Sequence, residues 1–72
     1  MNIIGPQIKR LREQNNMTQE ELTAKCNLLG WNISRGTLAK IESQVRRVTD
    51  SEVALIAKVL NVDISELYEE SK

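Results

Sequence analysis

A helix-starting pattern occurs three times in this chain, and it constrains the fold more than any other feature of the sequence. In each copy a Thr or Asp is followed three residues later by Glu. The pairs are Thr18 and Glu21, Thr49 and Glu52, and Asp63 and Glu66. In such a capping box the first side chain accepts a hydrogen bond from the backbone N–H of the Glu, and the Glu carboxylate accepts one from the backbone N–H of the first residue. Helices are therefore predicted to begin directly after residues 18, 49 and 63.

An earlier helix is predicted to run from about Pro6 to Asn16. Pro fixes the backbone torsion of a first helical turn and lacks only an N–H that would be unpaired there. Asn16 can adopt the left-handed conformation that ends a helix. The apolar face of this helix is formed at helical spacing by Ile4, Ile8 and Leu11.

A further amphipathic helix is predicted in residues 33–42. Ser34 is the expected N-cap, because its hydroxyl can accept a hydrogen bond from an otherwise unpaired N–H of the first turn. Helical periodicity places Leu38 and Ile41 on one side. The exposed side then carries Arg35, Thr37 and Lys40. That side is free to contact a partner, and an ordinary surface helix with solvated charges is the alternative.

Five short helices in 72 residues, with no strand pattern, predict an all-α fold: a compact five-helix bundle that forms a single domain of residues 1–72. The apolar stripe of the fourth helix consists of Val53, Ile56, Ala57 and Leu60. The short fifth helix carries three apolar side chains, Ile64, Leu67 and Tyr68. A domain of this size buries only about 60–65% of its unfolded surface, so a deep substrate cavity is not expected.

Composition argues against an enzyme. The chain has no His and a single Cys, Cys26, which removes disulfides, most zinc sites and any histidine base. No catalytic, metal or cofactor site is therefore predicted. Cys26 lies four residues after Leu22 and is expected to fill the core, with a reactive thiol as the alternative.

No apolar run approaches the roughly 18 residues of a membrane span, and the start of the chain does not resemble a signal peptide. A cytoplasmic protein is therefore expected.

Charge is distributed unevenly along the chain. The formal net charge is zero, but residues 1–49 carry eight basic and four acidic residues, whereas residues 50–72 carry two basic and six acidic ones. The first part is therefore net +4 and the second net −4. A polyanion such as DNA would bind the basic part and be repelled by the acidic part. Two solvated faces of opposite sign are the alternative.

The segment between the second and third helices, residues 27–32, is longer than a minimal turn and unusually apolar. Gly30 can supply a positive φ. Leu28 or Leu29 is expected to finish the second helix and Trp31 to cover the core, so that these side chains plug it. A partly exposed Trp31 that contacts a partner is the alternative.

One residue and three segments together carry a family resemblance. The residue is Arg12 in the first helix, and the segments are Thr18–Leu22, Ile33–Glu42 and Asn61–Leu67. In these segments the chain resembles the helix-turn-helix domain of Cro/cI-type (XRE-family) repressors, which have a lambda-repressor-like fold; the helix-turn-helix unit would span about residues 18–43. Two features depart from the family pattern. The turn before the third helix is about five residues longer than the usual tight turn, and Thr23 stands where a close-packing Ala is typical.

The resemblance implies that the third helix reads the major groove of double-stranded DNA in a sequence-specific transcriptional regulator, expected to be a repressor. A helix of about 10–12 Å diameter fits that groove, which is roughly 12 Å wide. Arg35 can bind guanine O6 and N7 together, and Thr37 can contact a thymine methyl or a phosphate. The expected base contacts are Ser34, Arg35, Thr37 and Lys40. Gly36 either lets the backbone approach DNA closely or loosens the first turn.

Backbone contacts are expected on both sides of that helix. Gln19 begins the second helix, where free N–H groups and the helix dipole favour a phosphate. The expected phosphate contacts are Gln19, Ser43, Gln44, Arg46 and Arg47, with solvated surface as the alternative for Arg47. The resemblance also implies a partly buried salt bridge between Arg12 and Glu42.

The expected partner is a palindromic operator bound by a symmetric homodimer, because one recognition helix contacts too few base pairs for a specific site. Ile64 and Tyr68 are the predicted dimer contacts, whereas Leu67 is expected in the monomer core; burial of all three in that core is the alternative.

No small-molecule effector is evident. A bacterial or phage-encoded, nucleoid-associated protein is expected. The rival function is an interaction module, such as an antitoxin-like or anti-repressor partner, that uses Trp31 and the apolar C-terminal segment.

Overall fold

A computed structural model describes residues 4–68, so Glu69 and Glu70 of the predicted acidic stretch lie outside the described residues. The described chain forms five helices and no strand: α1 Gly5–Gln14, α2 Gln19–Leu28, α3 Arg35–Glu42, α4 Asp50–Leu60 and α5 Ile64–Leu67. Its overall dimensions are 31 × 23 × 21 Å. The predicted compact all-α architecture of five helices is confirmed.

The helices begin where the capping boxes predict. At α2, the Glu21 backbone N–H donates to Thr18 Oγ1 over 3.1 Å, and the Thr18 backbone N–H donates to Glu21 Oε1 over 2.9 Å. The box that begins at Thr49 contains the same two bonds at the start of α4. At α5 the Asp63 backbone N–H donates to Glu66 Oε2 over 2.9 Å. These local bonds fix three of the five helix starts.

Asparagines in the left-handed conformation follow α1 and α4, at Asn16 (φ 57°) and Asn61 (φ 58°). The first helix is shorter at its end than predicted, because Asn15 already leaves the helical conformation and its side-chain Nδ2 donates to the Leu11 carbonyl over 2.9 Å. An Asn side chain that binds the backbone in this way competes with continued helix formation.

The helices pack around one apolar core, with α3 in contact with both α1 and α2. The core consists of Ile4, Ile8, Leu11, Leu22, Cys26, Ile33, Leu38, Ile41, Val53, Ile56, Ala57, Leu60 and Leu67. Cys26 is fully enclosed, and this burial raises the pKa of its thiol, so it packs as a small apolar residue. Leu67 is also fully buried and attaches α5 to the rest of the fold.

The apolar turn before α3 packs differently from the prediction. Trp31 is partly buried against the core as expected, and Leu28 is the last residue of α2. However, Leu28 is 85% exposed and Leu29 is 40% exposed, so the expectation that they plug the core is wrong. Leu28 lies two residues, about 200° of helical rotation, beyond the buried Cys26 and therefore points away from the core.

Candidate nucleic-acid interface

The inner face of α3 fixes this helix to the rest of the fold. Leu38 and Ile41 are fully buried in the core, and Glu42, at the last helical position, is also buried. The two apolar side chains are three residues apart and therefore lie on one face of the helix. Because α3 packs on α1 and α2 through this face, its opposite face is directed outward.

A polar network under α3 joins it to both neighbouring helices. Arg12 of α1 donates from Nε to Glu42 Oε2 over 2.8 Å and from Nη2 to Glu42 Oε1 over 3.1 Å, and the two side chains are only 8% and 3% exposed. Arg12 Nη1 also donates to the Met17 carbonyl over 2.7 Å. The hydrogen bond from Arg12 to Glu42 raises the pKa of the guanidinium, which therefore remains charged despite its burial.

Gln19, at the first position of α2, extends this network toward the surface. Its Nε2 donates to Glu42 Oε1 over 3.0 Å, and the residue is half-buried. An amide nitrogen has two hydrogens, so one remains available to an acceptor outside the protein. Thr23, the departure from the family pattern, fits without disturbing α2, because its Oγ1 donates to the Gln19 carbonyl over 2.7 Å.

Ser34 begins α3 as predicted. Its Oγ accepts a hydrogen bond from the Thr37 backbone N–H over 3.1 Å and donates one to Thr37 Oγ1 over 3.0 Å. The hydroxyl hydrogen of Ser34 is therefore occupied, whereas that of Thr37 is available for an external acceptor. The capping interaction thus makes Thr37 the hydrogen-bond donor at this end of α3.

The long turn into α3 has a defined structure stabilised by Asn27. Its side-chain Nδ2 donates to the Trp31 carbonyl over 2.8 Å and to the Ile33 carbonyl over 3.1 Å. Gly30 has a φ of 92°, and the Trp31 backbone N–H donates to the Cys26 carbonyl over 3.1 Å. Sequence reasoning missed this role of Asn27. Its only sequence signal is that Asn side chains readily bind nearby backbone groups.

The outer face of α3 is basic and exposed. Gly36 and Lys40 each lie two residues, about 200° of helical rotation, from the buried Leu38, so they mark the line directed away from the core. Arg35 is exposed beside this line, and Thr37 is half-buried on its other side. The only acidic residue of α3, Glu42, points inward. This face therefore presents two cations and a hydroxyl donor without a competing carboxylate of the same helix.

The loop after α3, residues 43–49, continues the basic surface. Ser43 Oγ donates to the Lys40 carbonyl over 3.2 Å, and Gln44 has a left-handed φ of 70°. Arg46 lies against α4: its Nη1 and Nη2 donate to the two carboxylate oxygens of Glu52, each over 3.1 Å. This pairing raises the pKa of Arg46 and lowers the pKa of Glu52. Arg47 is exposed next to it.

Comparison with known protein families identifies the family of this chain. The profile of the helix-turn-helix family matches residues 8–67, which is most of the chain. The chain belongs to the helix-turn-helix family. The match supports its Cro/cI-type, XRE-family character, and members of this family are DNA-binding transcriptional regulators. Neither the curated proteins nor the solved structures contained a match to the chain.

In helix-turn-helix terms, α2 and α3 are the two helices of the unit and residues 29–34 are its turn. The predicted base contacts Ser34, Arg35, Thr37 and Lys40 all belong to α3 or its cap, and the predicted phosphate contacts Gln19, Ser43, Gln44, Arg46 and Arg47 come from the start of α2 and the loop after α3. The Arg46–Glu52 pair was not predicted from the sequence, although the capping box already places a carboxylate at the start of α4.

The C-terminal end of the helix-turn-helix domain carries a separate apolar patch, formed by Ile64 and Tyr68. The two residues are four positions apart, at the first residue and the C-cap of α5, and they are 47% and 45% exposed. Side chains at this spacing lie on the same face of a helix.

None of the helices within residues 4–68 is both long enough and apolar enough to span a bilayer.

Proposed function

We propose that this protein is a sequence-specific repressor that binds a palindromic operator as a homodimer and reads each half-site with α3. The outer face of α3 carries the proposal: Arg35, Gly36 and Lys40 are exposed on a helix whose inner face is buried. A helix held in this way can enter the major groove without rearranging the fold. Arg35 and Lys40 supply donors to base edges, and Thr37 supplies a donor that its bond to Ser34 leaves available.

Phosphate contacts would position α3 in the groove. Gln19 retains one amide hydrogen at the start of α2, and Arg47 is exposed in the loop after α3. Ser43, Gln44 and Arg46 belong to the same loop and are proposed to face the same strand. The Arg46–Glu52 pair partly neutralises this surface, so Arg47 contributes the larger share of its positive potential.

The dimer would form through the exposed patch of Ile64 and Tyr68. Two copies related by a twofold axis would present two α3 helices to half-sites about 34 Å apart. Repression requires only that the bound dimer overlaps a promoter, whereas activation requires a further contact with polymerase. The resemblance to Cro/cI-type repressors also favours repression over activation.

Selection of duplexes from random DNA by the purified protein tests the proposal. The expected product is a palindrome whose half-sites are protected together in a footprint. Tyr68→Glu is expected to stay folded, to sediment as a monomer at concentrations where the wild type is a dimer, and to bind single half-sites weakly. A wild type that is monomeric at tens of micromolar and protects one half-site would disprove the dimer. Failure to enrich any sequence would disprove specific DNA binding.

One observation favours a second function, an interaction module that docks another protein. Leu28, the last residue of α2, and Leu29, its C-cap, are both exposed, which leaves apolar side chains on the surface at the end of α2. The salt dependence of binding distinguishes the two functions, because DNA binding weakens steeply with ionic strength whereas docking on an apolar surface does not. DNA binding weakens by orders of magnitude between about 50 and 200 mM salt. A partner whose affinity is unchanged over that range would favour this alternative.

A further inference from the structure

Gly36 is the second residue of α3, and nothing within the described part of the protein requires a glycine there. Its φ lies outside the left-handed region that favours glycine. A Cβ atom added to it would meet only Ser34 Oγ, at 3.9 Å, which is an ordinary van der Waals contact. Inside a helix Gly is less favourable than Ala because it loses more backbone entropy on folding. The fold would therefore tolerate Ala at this position and gain stability from it.

The position of Gly36 makes the missing side chain relevant to binding. It lies opposite the buried Leu38, on the line of α3 that is directed outward, and the next residue on this line is Lys40. Arg35 and Thr37, which carry hydrogen-bonding groups, flank it on either side. The outermost point of the first turn is therefore backbone without a side chain, whose Cα hydrogens lie between two polar side chains.

We infer that Gly36 is a specificity-determining residue that brings the α3 backbone against a thymine in each half-site, with the thymine C5-methyl group in the space that a Cβ would occupy. This inference rests on the proposed function. The C5-methyl is the one apolar group that a base pair presents in the major groove, and it matches a surface that offers Cα hydrogens and no side-chain donor or acceptor. The flanking Arg35 and Thr37 then contact the neighbouring base pairs.

The test compares the wild type with Gly36→Ala on the duplex that the wild type selects. The variant is expected to melt about 2–8 °C higher, because of its greater helix propensity, and yet to bind the operator about tenfold more weakly. Gln14→Ala, at an exposed position of α1, is the matched control and should bind as the wild type does. A gain in stability together with a loss in affinity separates recognition from folding.

Uracil provides the decisive second measurement, because it lacks only the methyl group of thymine. Replacing the thymine opposite Gly36 by uracil should weaken wild-type binding several-fold, roughly the effect of losing one base-edge contact. The same replacement should restore much of the binding of Gly36→Ala, whose methyl group then fills the vacated space. Scanning each thymine of the half-site in turn identifies the position.

The possible failures are distinguishable. If the wild type selects no DNA sequence, the proposed function itself is wrong. If the wild type binds its operator and Gly36→Ala binds equally well or more tightly, only the role of Gly36 is wrong, and a tighter complex would mean that glycine loosens the first turn. If no uracil replacement affects the wild type, the thymine contact is overturned.

Discussion

The two faces of α3 differ in their contacts with the rest of the protein. On the inner face, Leu38 and Ile41 are buried in the core and Glu42 accepts hydrogen bonds from Arg12 and Gln19. On the outer face, Arg35, Gly36 and Lys40 are exposed. The inner face therefore sets the orientation of the helix, whereas the outer face is available to a partner. Substitutions on the two faces should separate stability from DNA binding.

The largest effect is expected on the inner face, from Glu42→Gln. Removing the charge of one partner in a buried ion pair leaves the Arg12 guanidinium uncompensated, which costs about 3–5 kcal/mol of unfolding free energy. Denaturant unfolding measures this loss. Glu13→Gln removes an exposed carboxylate from α1 and is the control, with an expected change below about 0.5 kcal/mol. Equal stability of Glu42→Gln and the wild type would mean that the buried pair does not hold α3.

On the outer face, Arg35→Ala should weaken DNA binding and leave the stability of the fold unchanged. Operator binding is expected to weaken by about 1–3 kcal/mol, with relaxed preference at one base pair, because a bidentate contact to guanine would be lost. Its unfolding free energy should stay within about 0.5 kcal/mol of the wild type. Binding titrations on the selected operator and on random DNA provide the measurement, with Lys58→Ala as a control for the loss of one exposed cation. An equal loss on both duplexes would make Arg35 a phosphate contact instead.

The loop after α3 offers a smaller, sequence-independent effect. Arg47→Ala is expected to lower the salt slope of DNA binding by about one unit without changing stability, since it removes one exposed cation. Arg46→Ala should also weaken binding to all sequences alike, because Glu52 would lose its partner and leave an uncompensated carboxylate near the DNA backbone. Affinities measured from low to high salt test both variants. Sequence-dependent losses would move these residues to the base-reading set.

Lowering the pH should weaken the attachment of the loop after α3 to α4. The pKa of Glu52 is lowered, first by its hydrogen bond from Arg46, so its contribution to stability is complete above the unfolded-state pKa of about 4.3 and is lost as the pH falls through the lower folded-state value. The effect is at most about 1 kcal/mol, since the Arg46 side chain is 37% exposed. Thermal unfolding between pH 7 and acid should show a smaller decrease for Glu52→Gln than for the wild type. Parallel curves would contradict this role.

Local sequence signals predicted the helices well, because each signal acts within a few residues. Thr18 and Thr49 cap α2 and α4 through bonds to the third residue of each helix, and Asn61 ends α4 in the left-handed conformation. The core stripe of α4 followed from helical spacing alone. Helix ends depend on single interactions, as Asn15 illustrates, since one side-chain bond to the backbone is enough to end α1 early.

Features that depend on the path of the chain were harder to predict. Helical rotation past Cys26 directs Leu28 outward, but hydrophobicity could not distinguish Leu29 from Trp31. These two residues follow α2, where the φ of Gly30 and the two hydrogen bonds from Asn27 determine the path of the chain. The Arg46–Glu52 pair depends on how the loop returns to α4. The family resemblance, by contrast, implied the Arg12–Glu42 pair, and the structure contains it.

The most direct test of DNA reading by α3 is the affinity of the wild-type chain for its selected operator and for a scrambled duplex of equal length and composition, measured at several salt concentrations. Operator binding is expected to be at least about a thousandfold tighter than binding to the scrambled duplex, and both affinities should fall steeply with salt. Equal affinity for the two duplexes, or binding that is insensitive to salt, would contradict the account.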